Sequence, residues 1–166
     1  METLMSAVIG ALSGKASHEV IVFIISMIPI LELRGGLLAA SVLNIDIVRA
    51  LWICIIGNLI PVPFILLLIT PIFNWLKQTK TLRPMVEKME NRALSKREQV
   101  EKYEFWGLVL FVGIPLPGTG AWTGSLLAAL LGIKFKKAFP AVVLGILLAS
   151  FIMSVVSYGL LGAILH

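Results

Sequence analysis

Two stretches of this sequence carry no charge over lengths that a small soluble domain does not leave bare: Ala50 to Leu76 and Ala138 to Leu165. As a helix rising 1.5 Å per residue, each reaches about 40 Å, against a hydrocarbon core of about 30 Å. Each can cross a bilayer with tilt or with its ends outside the core. Composition points the same way. The 166 residues are 58% hydrophobic and 14% charged, whereas soluble domains carry about 25% charged residues. So little charge cannot wet a globular surface, and an integral membrane protein is expected. A soluble enzyme, a nucleic-acid module and a disordered scaffold are disfavoured.

The net charge of +5 does not point to nucleic acid, because its distribution is local. Eight of the fourteen Lys and Arg lie between Lys77 and Lys102, interleaved with Glu87, Glu90, Glu98 and Glu101, and three more are Lys134, Lys136 and Lys137. Short basic loops beside apolar segments mark a cytoplasmic face. The opening residues lack a basic stretch before their apolar one, so a cleaved signal peptide is not expected. The single cysteine, Cys54, lies in an apolar run, which leaves no internal disulfide and reads as ordinary packing.

The first long run contains Pro61 and Pro63, where a kink is expected, and the second contains Gly145, Gly159 and Gly162, which permit close packing. Two further apolar stretches are interrupted. Val20 to Leu43 breaks at Pro29 and at Glu32-Leu33-Arg34-Gly35-Gly36. Phe105 to Ile133 breaks at Pro115-Leu116-Pro117-Gly118-Thr119-Gly120. Arms of about 15–18 Å on either side of each break match half a bilayer, which suggests re-entrant hairpins. The alternative is one kinked full-length helix in each place.

The chain also resembles itself. Gly35-Gly36-Leu37-Leu38-Ala39-Ala40 aligns with Gly124-Ser125-Leu126-Leu127-Ala128-Ala129, Ile28-Pro29 with Ile114-Pro115, and Gly57 with Gly145. If each broken segment returns to its starting side, residues 77–102 and 134–137 share one basic face, while Asp46 and Arg49 cancel on the other. If each crosses fully, the two basic segments lie on opposite faces. The expected fold class is therefore all-α integral membrane, with two inverted repeats. Each repeat is a re-entrant helical hairpin plus a spanning helix, and an amphipathic cytoplasmic helix joins the two. One membrane domain covers 1–166: an interfacial segment 1–16, repeat 1 over 17–76, a linker over 77–103 and repeat 2 over 104–166. Both termini would lie outside.

Within 1–16, Gly10-x-x-x-Gly14 has a packing spacing but reads more simply as a turn. In the linker, Pro84 to Tyr103 reads as one helix with Val86, Met89, Ala93, Val100 and Tyr103 on a shared face that Lys96 spoils. Glu98 and Lys102 form an i,i+4 pair there. A solvated connector on anionic headgroups is the simpler reading, and a lid or partner helix the functional one.

Glu32 and Arg34 are the strongest site candidates, because ionisable groups inside a membrane segment cost about 2.5–3.5 kcal/mol each on insertion scales. Beside Gly35 and Gly36, freed N–H groups at a half-helix N-terminus can hold an anion, Arg34 adds a planar fork, and Glu32 can exchange a proton. The competing reading is a structural ion pair that pins the hairpin. The second break offers Pro117, Gly118, Thr119, Gly120, Trp122 and Thr123 as substrate contacts: glycines for close backbone approach, hydroxyls and a flat apolar wall. A tight structural turn is the alternative. Asn58 in a spanning helix reads as interhelical glue, and His18, Glu19 and Glu104 as a solvated edge. Two histidines near the ends and one cysteine argue against a metal site, and no cofactor is implied.

At Glu32-Leu33-Arg34-Gly35-Gly36 and Gly113-Ile114-Pro115-Leu116-Pro117-Gly118-Thr119-Gly120 the chain resembles the small multidrug export protein family of prokaryotic membrane proteins, over roughly Ser17 to Leu165. The resemblance implies a multi-pass protein of a prokaryotic plasma (inner) membrane. It is more distantly similar to DedA-type proteins, which pair two re-entrant hairpins and include members linked to translocation of undecaprenyl phosphate. The second hairpin here has Thr and Gly where that group has Arg. Three functions follow as expectations. The first is a small secondary transporter or lipid flippase with a midplane site for an anionic substrate such as a polyprenyl phosphate, Glu32 coupling protons. The second is proton-coupled export of small cationic drugs. The third is a non-transport membrane assembly subunit. No Ser/His, Cys/His or carboxylate pair suits catalysis, so no enzyme is expected. The bilayer, a small-molecule or lipid-phosphate substrate and a second copy in a homodimer are the expected partners, with no nucleic acid.

Overall fold

The computed structural model describes residues 2–14, 16–98 and 104–160, which are helical with no strand among them. In chain order the helices are α1 (Glu2–Leu12), α2 (His18–Met27), α3 (Glu32–Val42), α4 (Ile47–Leu59), α5 (Pro61–Leu76), α6 (Arg83–Leu94), α7 (Glu104–Gly113), α8 (Ala121–Leu130) and α9 (Phe135–Ser154). A π-helical turn, Val155–Leu160, extends α9. Both broken stretches are thus two short helices around a loop.

Local chemistry sets these boundaries. The Ser17 hydroxyl accepts the Val20 N–H and opens α2, and the Asp46 carboxylate accepts the N–H groups of Val48 (3.0 Å) and Arg49 (3.4 Å) and opens α4. Pro61 occupies the first position of α5, where a missing N–H costs least. Ile60 keeps helical angles (φ −55°, ψ −48°), so Ile47–Leu76 forms one apolar run of 30 residues with its break confined to Ile60. The second long run is Phe135–Gly159, 25 residues. Only 28% and 44% of their most apolar windows are buried, so most of that surface faces outward, as lipid contact requires.

Inside, α2 packs on α3 and α4, α7 packs on α8 and α9, and α4 meets α9. Ile21, Ile25, Leu33, Leu37, Leu127 and Ile146 fill the interior. Two local arrangements occur twice. Ile45 N–H donates to Ala40 O and Ile133 N–H to Ala128 O, both at 2.9 Å, and the residue before each, Asn44 or Gly132, is left-handed (φ +56° and +70°). These are the same glycine-type helix endings. Gly57 also lies against the Phe23 carbonyl, and Gly145 against the Val109 carbonyl; a Cβ on either would sit 3.0 Å from that oxygen. At Gly145 the new atom would also stand 2.5 Å from Val112 Cβ. Gly145→Val is therefore expected to overpack the α7–α9 contact and lower stability by about 1–3 kcal/mol. A thermal melt in detergent that matches wild type would refute this.

The linker departs from expectation. Instead of one helix from Pro84 to Tyr103, α6 ends at Leu94, Ser95 and Lys96 form a turn, and helix resumes at residue 97. The Ser95 hydroxyl bonds back to Arg92 O at 2.9 Å, a local alternative to continuing the helix. Val86 is buried but Met89 is exposed, so the expected face is only partly used; Val100, Lys102 and Tyr103 lie outside the described residues. Rather than lying free, α6 packs on α8 and α5; the ion pair Lys77–Glu90 ties it to the end of α5, and Arg83–Glu87 braces its own first turn. In the N-terminal segment, α1 packs on α2, while a Cβ on Gly10 or Gly14 would meet only open space, so their spacing makes no helix contact here.

Candidate functional site

The two loops that interrupt the broken segments meet, and charged side chains from the first hold the backbone of the second. Gly120, which precedes α8, has no side chain to accept the free N–H groups of that helix. Glu32 supplies the acceptor. Its Oε2 takes the Ala121 N–H and its Oε1 the Trp122 N–H, both at 3.0 Å, and the residue is only 5% exposed. A Cβ on Gly120 would land on Glu32 Oε2, so glycine is what admits the carboxylate. Glu32 itself is left-handed (φ +49°), as is Ile30 (φ +81°), an uncommon conformation for either residue type.

Arg34 does the converse at the end of α7. Its Nη1 donates to Leu116 O (2.9 Å), and its Nη2 to Ile114 O (3.2 Å), Val112 O (3.5 Å) and Thr119 Oγ1 (3.0 Å). The carboxylate therefore sits at the positive end of α8 and the guanidinium at the negative end of α7, each where the helix dipole favours it. The contact is reciprocal: Trp122 Nε1–H donates to Met27 O, at the end of α2, at 3.1 Å. Each broken segment closes a helix end in the other.

Expected site residues fall into two groups. Thr119, Gly120 and Trp122 join Glu32 and Arg34 at this joint, and Pro117 and Gly118 lie on its exposed edge. The Thr119 hydroxyl lies 2.9 Å from Ile114 O and 2.8 Å from Leu116 O, and its single proton, shared between them, braces the loop. Thr123 is half-buried in the first turn of α8. Gly35 and Gly36 are placed differently from expectation. The Gly35 N–H is spent on Leu31 O (2.7 Å), and a Cβ on Gly36 would collide with Ser26 Oγ and stand 2.8 Å from Cys54 Sγ. These glycines serve close packing, and the N–H groups that hold an anionic group belong to α8 instead. Glu32 and Arg34 form no ion pair within 4.0 Å, so each partners backbone rather than the other.

Lys96 is the residue that sequence reasoning missed. Its Nζ donates to Pro117 O (3.2 Å) and Gly118 O (2.9 Å) and lies 5.8 Å from the centre of the Phe111 ring. The available signal was its intrusion on an otherwise apolar helix face. Asn58, expected to join helices, is buried at 2% exposure with no partner for its Oδ1, and the Ser125 hydroxyl is also unpartnered. A separate cleft of about 690 Å³ is lined by residues from the start of α2 (Ser17, His18, Glu19) and from the α3–α4 turn (Asn44, Asp46, Arg49).

A model of the family described as putative small multi-drug export protein matches residues 32–152, from Glu32 at the start of α3 through the second loop and into α9. No curated protein and no solved structure matches.

Proposed function

The chain belongs to the small multi-drug export family, a group described by transport rather than by an enzyme activity, and from that premise we propose that it is a proton-coupled exporter of small organic cations. The observation that carries the reading is the joint itself. An intramembrane carboxylate is the tie between two broken segments, with both oxygens committed to the first N–H groups of α8. A proton arriving on one oxygen removes that oxygen's negative charge and weakens its hold on an N–H. Loading Glu32 thus loosens α8 from α3, and releasing the proton restores the tie. One titrating group in this way links proton uptake to separation of the loops.

In this reading the architecture is two inverted halves, 17–76 and 104–166, each a re-entrant hairpin and a spanning helix, in a prokaryotic inner membrane with the linker cytoplasmic. The twice-occurring helix ending, the matched Gly57 and Gly145 contacts, and the cleft shared by the start of α2 and the end of α3 support it. A homodimer belongs to this reading because 166 residues with two long apolar runs are little protein to enclose a pathway. A cation is favoured over a polyprenyl phosphate because the Arg34 fork is already engaged by three carbonyls and a hydroxyl. An anionic headgroup would have to strip those bonds, whereas each loop carbonyl keeps a second lone pair that a positive ligand can use.

Reconstituted vesicles with an imposed pH gradient test this. Wild type should move benzylguanidinium, a cation that keeps both its charge and its N–H groups, against its gradient, and Glu32→Gln should lower that flux at least tenfold while running as a single species on size exclusion. Gradient-driven flux in Glu32→Gln equal to wild type would end the coupling role.

A further inference from the structure

Lys96 is not needed to finish a helix. The carbonyls at the end of α7 are already served by Arg34, and Pro117 and Gly118 lie beyond that helix on an exposed loop, where water or headgroups can satisfy their oxygens. Yet the half-buried Lys96 side chain brings its ammonium to three features at once. Two are the converging carbonyls of Pro117 and Gly118, at 3.2 and 2.9 Å; the third is the Phe111 ring, 5.8 Å away. Phe111 is only 5% exposed and lies against α8, within 3.6 Å of where a Gly124 Cβ would stand, so the ring is a fixed wall. Gly118 is left-handed at φ +74°, and a Cβ there would come within 2.8 Å of Lys96 Nζ. Bare backbone is what admits the ammonium.

Two acceptors and one aromatic ring are what a protonated primary amine requires. The acceptors take two of its N–H groups, and the ring lies within the roughly 6 Å over which a cation is attracted. We infer that the Pro117–Gly118 edge and Phe111 form a subsite for a protonated alkylamine, occupied in this arrangement by the chain's own Lys96. The inference rests on the export reading and names the substrate feature that reading leaves open: a positively charged nitrogen that bears N–H. A quaternary nitrogen offers no donor to the two carbonyls and is discriminated against. Lys96 is tethered by a turn, so it competes as an intramolecular ligand, and a substrate gains the subsite only for the fraction of time that Lys96 is withdrawn.

Binding to the purified full chain tests this without transport. The probes are 1-naphthylmethylammonium and its N,N,N-trimethyl analogue, followed by fluorescence. Lys96→Met keeps the unbranched side chain, one atom shorter, and removes its donor. It should bind the primary ammonium about tenfold more tightly than wild type, as expected when a competitor holding the subsite about nine-tenths of the time is removed. The trimethyl analogue should show no such gain. Adding Phe111→Leu to Lys96→Met should abolish the gain, and Lys96→Ala should reproduce it if the methionine perturbs the turn. Equal primary-ammonium affinity in wild type, Lys96→Met and Lys96→Ala, with near-ultraviolet circular dichroism unchanged, would overturn the subsite. A gain shared by the trimethyl analogue would overturn the N–H requirement and the proposal with it. Flux that survives Glu32→Gln overturns the coupling reading and leaves this binding result standing, so the two failures are distinguishable.

Discussion

Gly120→Ala should nearly abolish the folded protein, although it adds one methyl group. The new Cβ falls on Glu32 Oε2, and the position has φ +135°, which an L side chain rarely adopts. Backbone strain there costs about 1–3 kcal/mol. Pushing Glu32 off two N–H groups leaves a buried carboxylate without its partners, the class of defect that costs about 3–5 kcal/mol. The total rivals the whole stability of an ordinary domain, about 5–15 kcal/mol. Expression in membranes followed by size exclusion should show little monodisperse protein. Because the damage runs through Glu32, it should not add to the damage from Glu32→Ala. The double variant should be clearly better than the sum of the two single effects. Additive losses would mean that Gly120 is required for its backbone alone.

Arg34→Ala carries the second large effect. It withdraws donors from Leu116, Ile114 and Val112 carbonyls and from Thr119, leaving the single Thr119 hydroxyl proton to serve Ile114 O and Leu116 O between them. A loss of about 3 kcal/mol is expected, from charge-assisted bonds worth about 1.5–3 kcal/mol each, partly offset by that hydroxyl. Arg34→Lys should recover less than half of it, since a point ammonium cannot reach acceptors spread across a planar fork. Thermal melts of the three proteins in one detergent decide the matter. A lysine variant as stable as wild type would show that charge, not the fork, holds the loop.

The sequence makes some of this plain and conceals the rest for a physical reason. The long runs are legible because charge is absent from them, and the two breaks because proline and glycine punctuate helices. Glu32 and Arg34 stand out as charges in an apolar setting. Apart from Thr119, their partners do not, because those are backbone atoms of residues 112–122, and every residue carries an N–H or a carbonyl. Gly35 and Gly36 mislead for a related cause. Glycine permits close approach by a ligand or by another helix, and only the neighbours Ser26 and Cys54 show which applies. Lys96 registers in the sequence as a flaw in a helix face, because the turn that redirects it depends on the local choice of Ser95.

The break at Ile60 has a mechanical consequence. α4 rests on α2 and α3, while its continuation α5 rests on α8; likewise α9 rests on α7, while its π-helical extension touches α3. The first long apolar run is therefore held by different neighbours on either side of Ile60. Any relative motion of those neighbours must flex it near its middle. Pro61 and Pro63 have no N–H to offer Gly57 and Leu59, so two of the bonds that such flexing would break are missing from the start. The hinge is partly cut in advance, and motion there is resisted by packing and by the Ile60 N–H bond to Ile56 O at 3.1 Å.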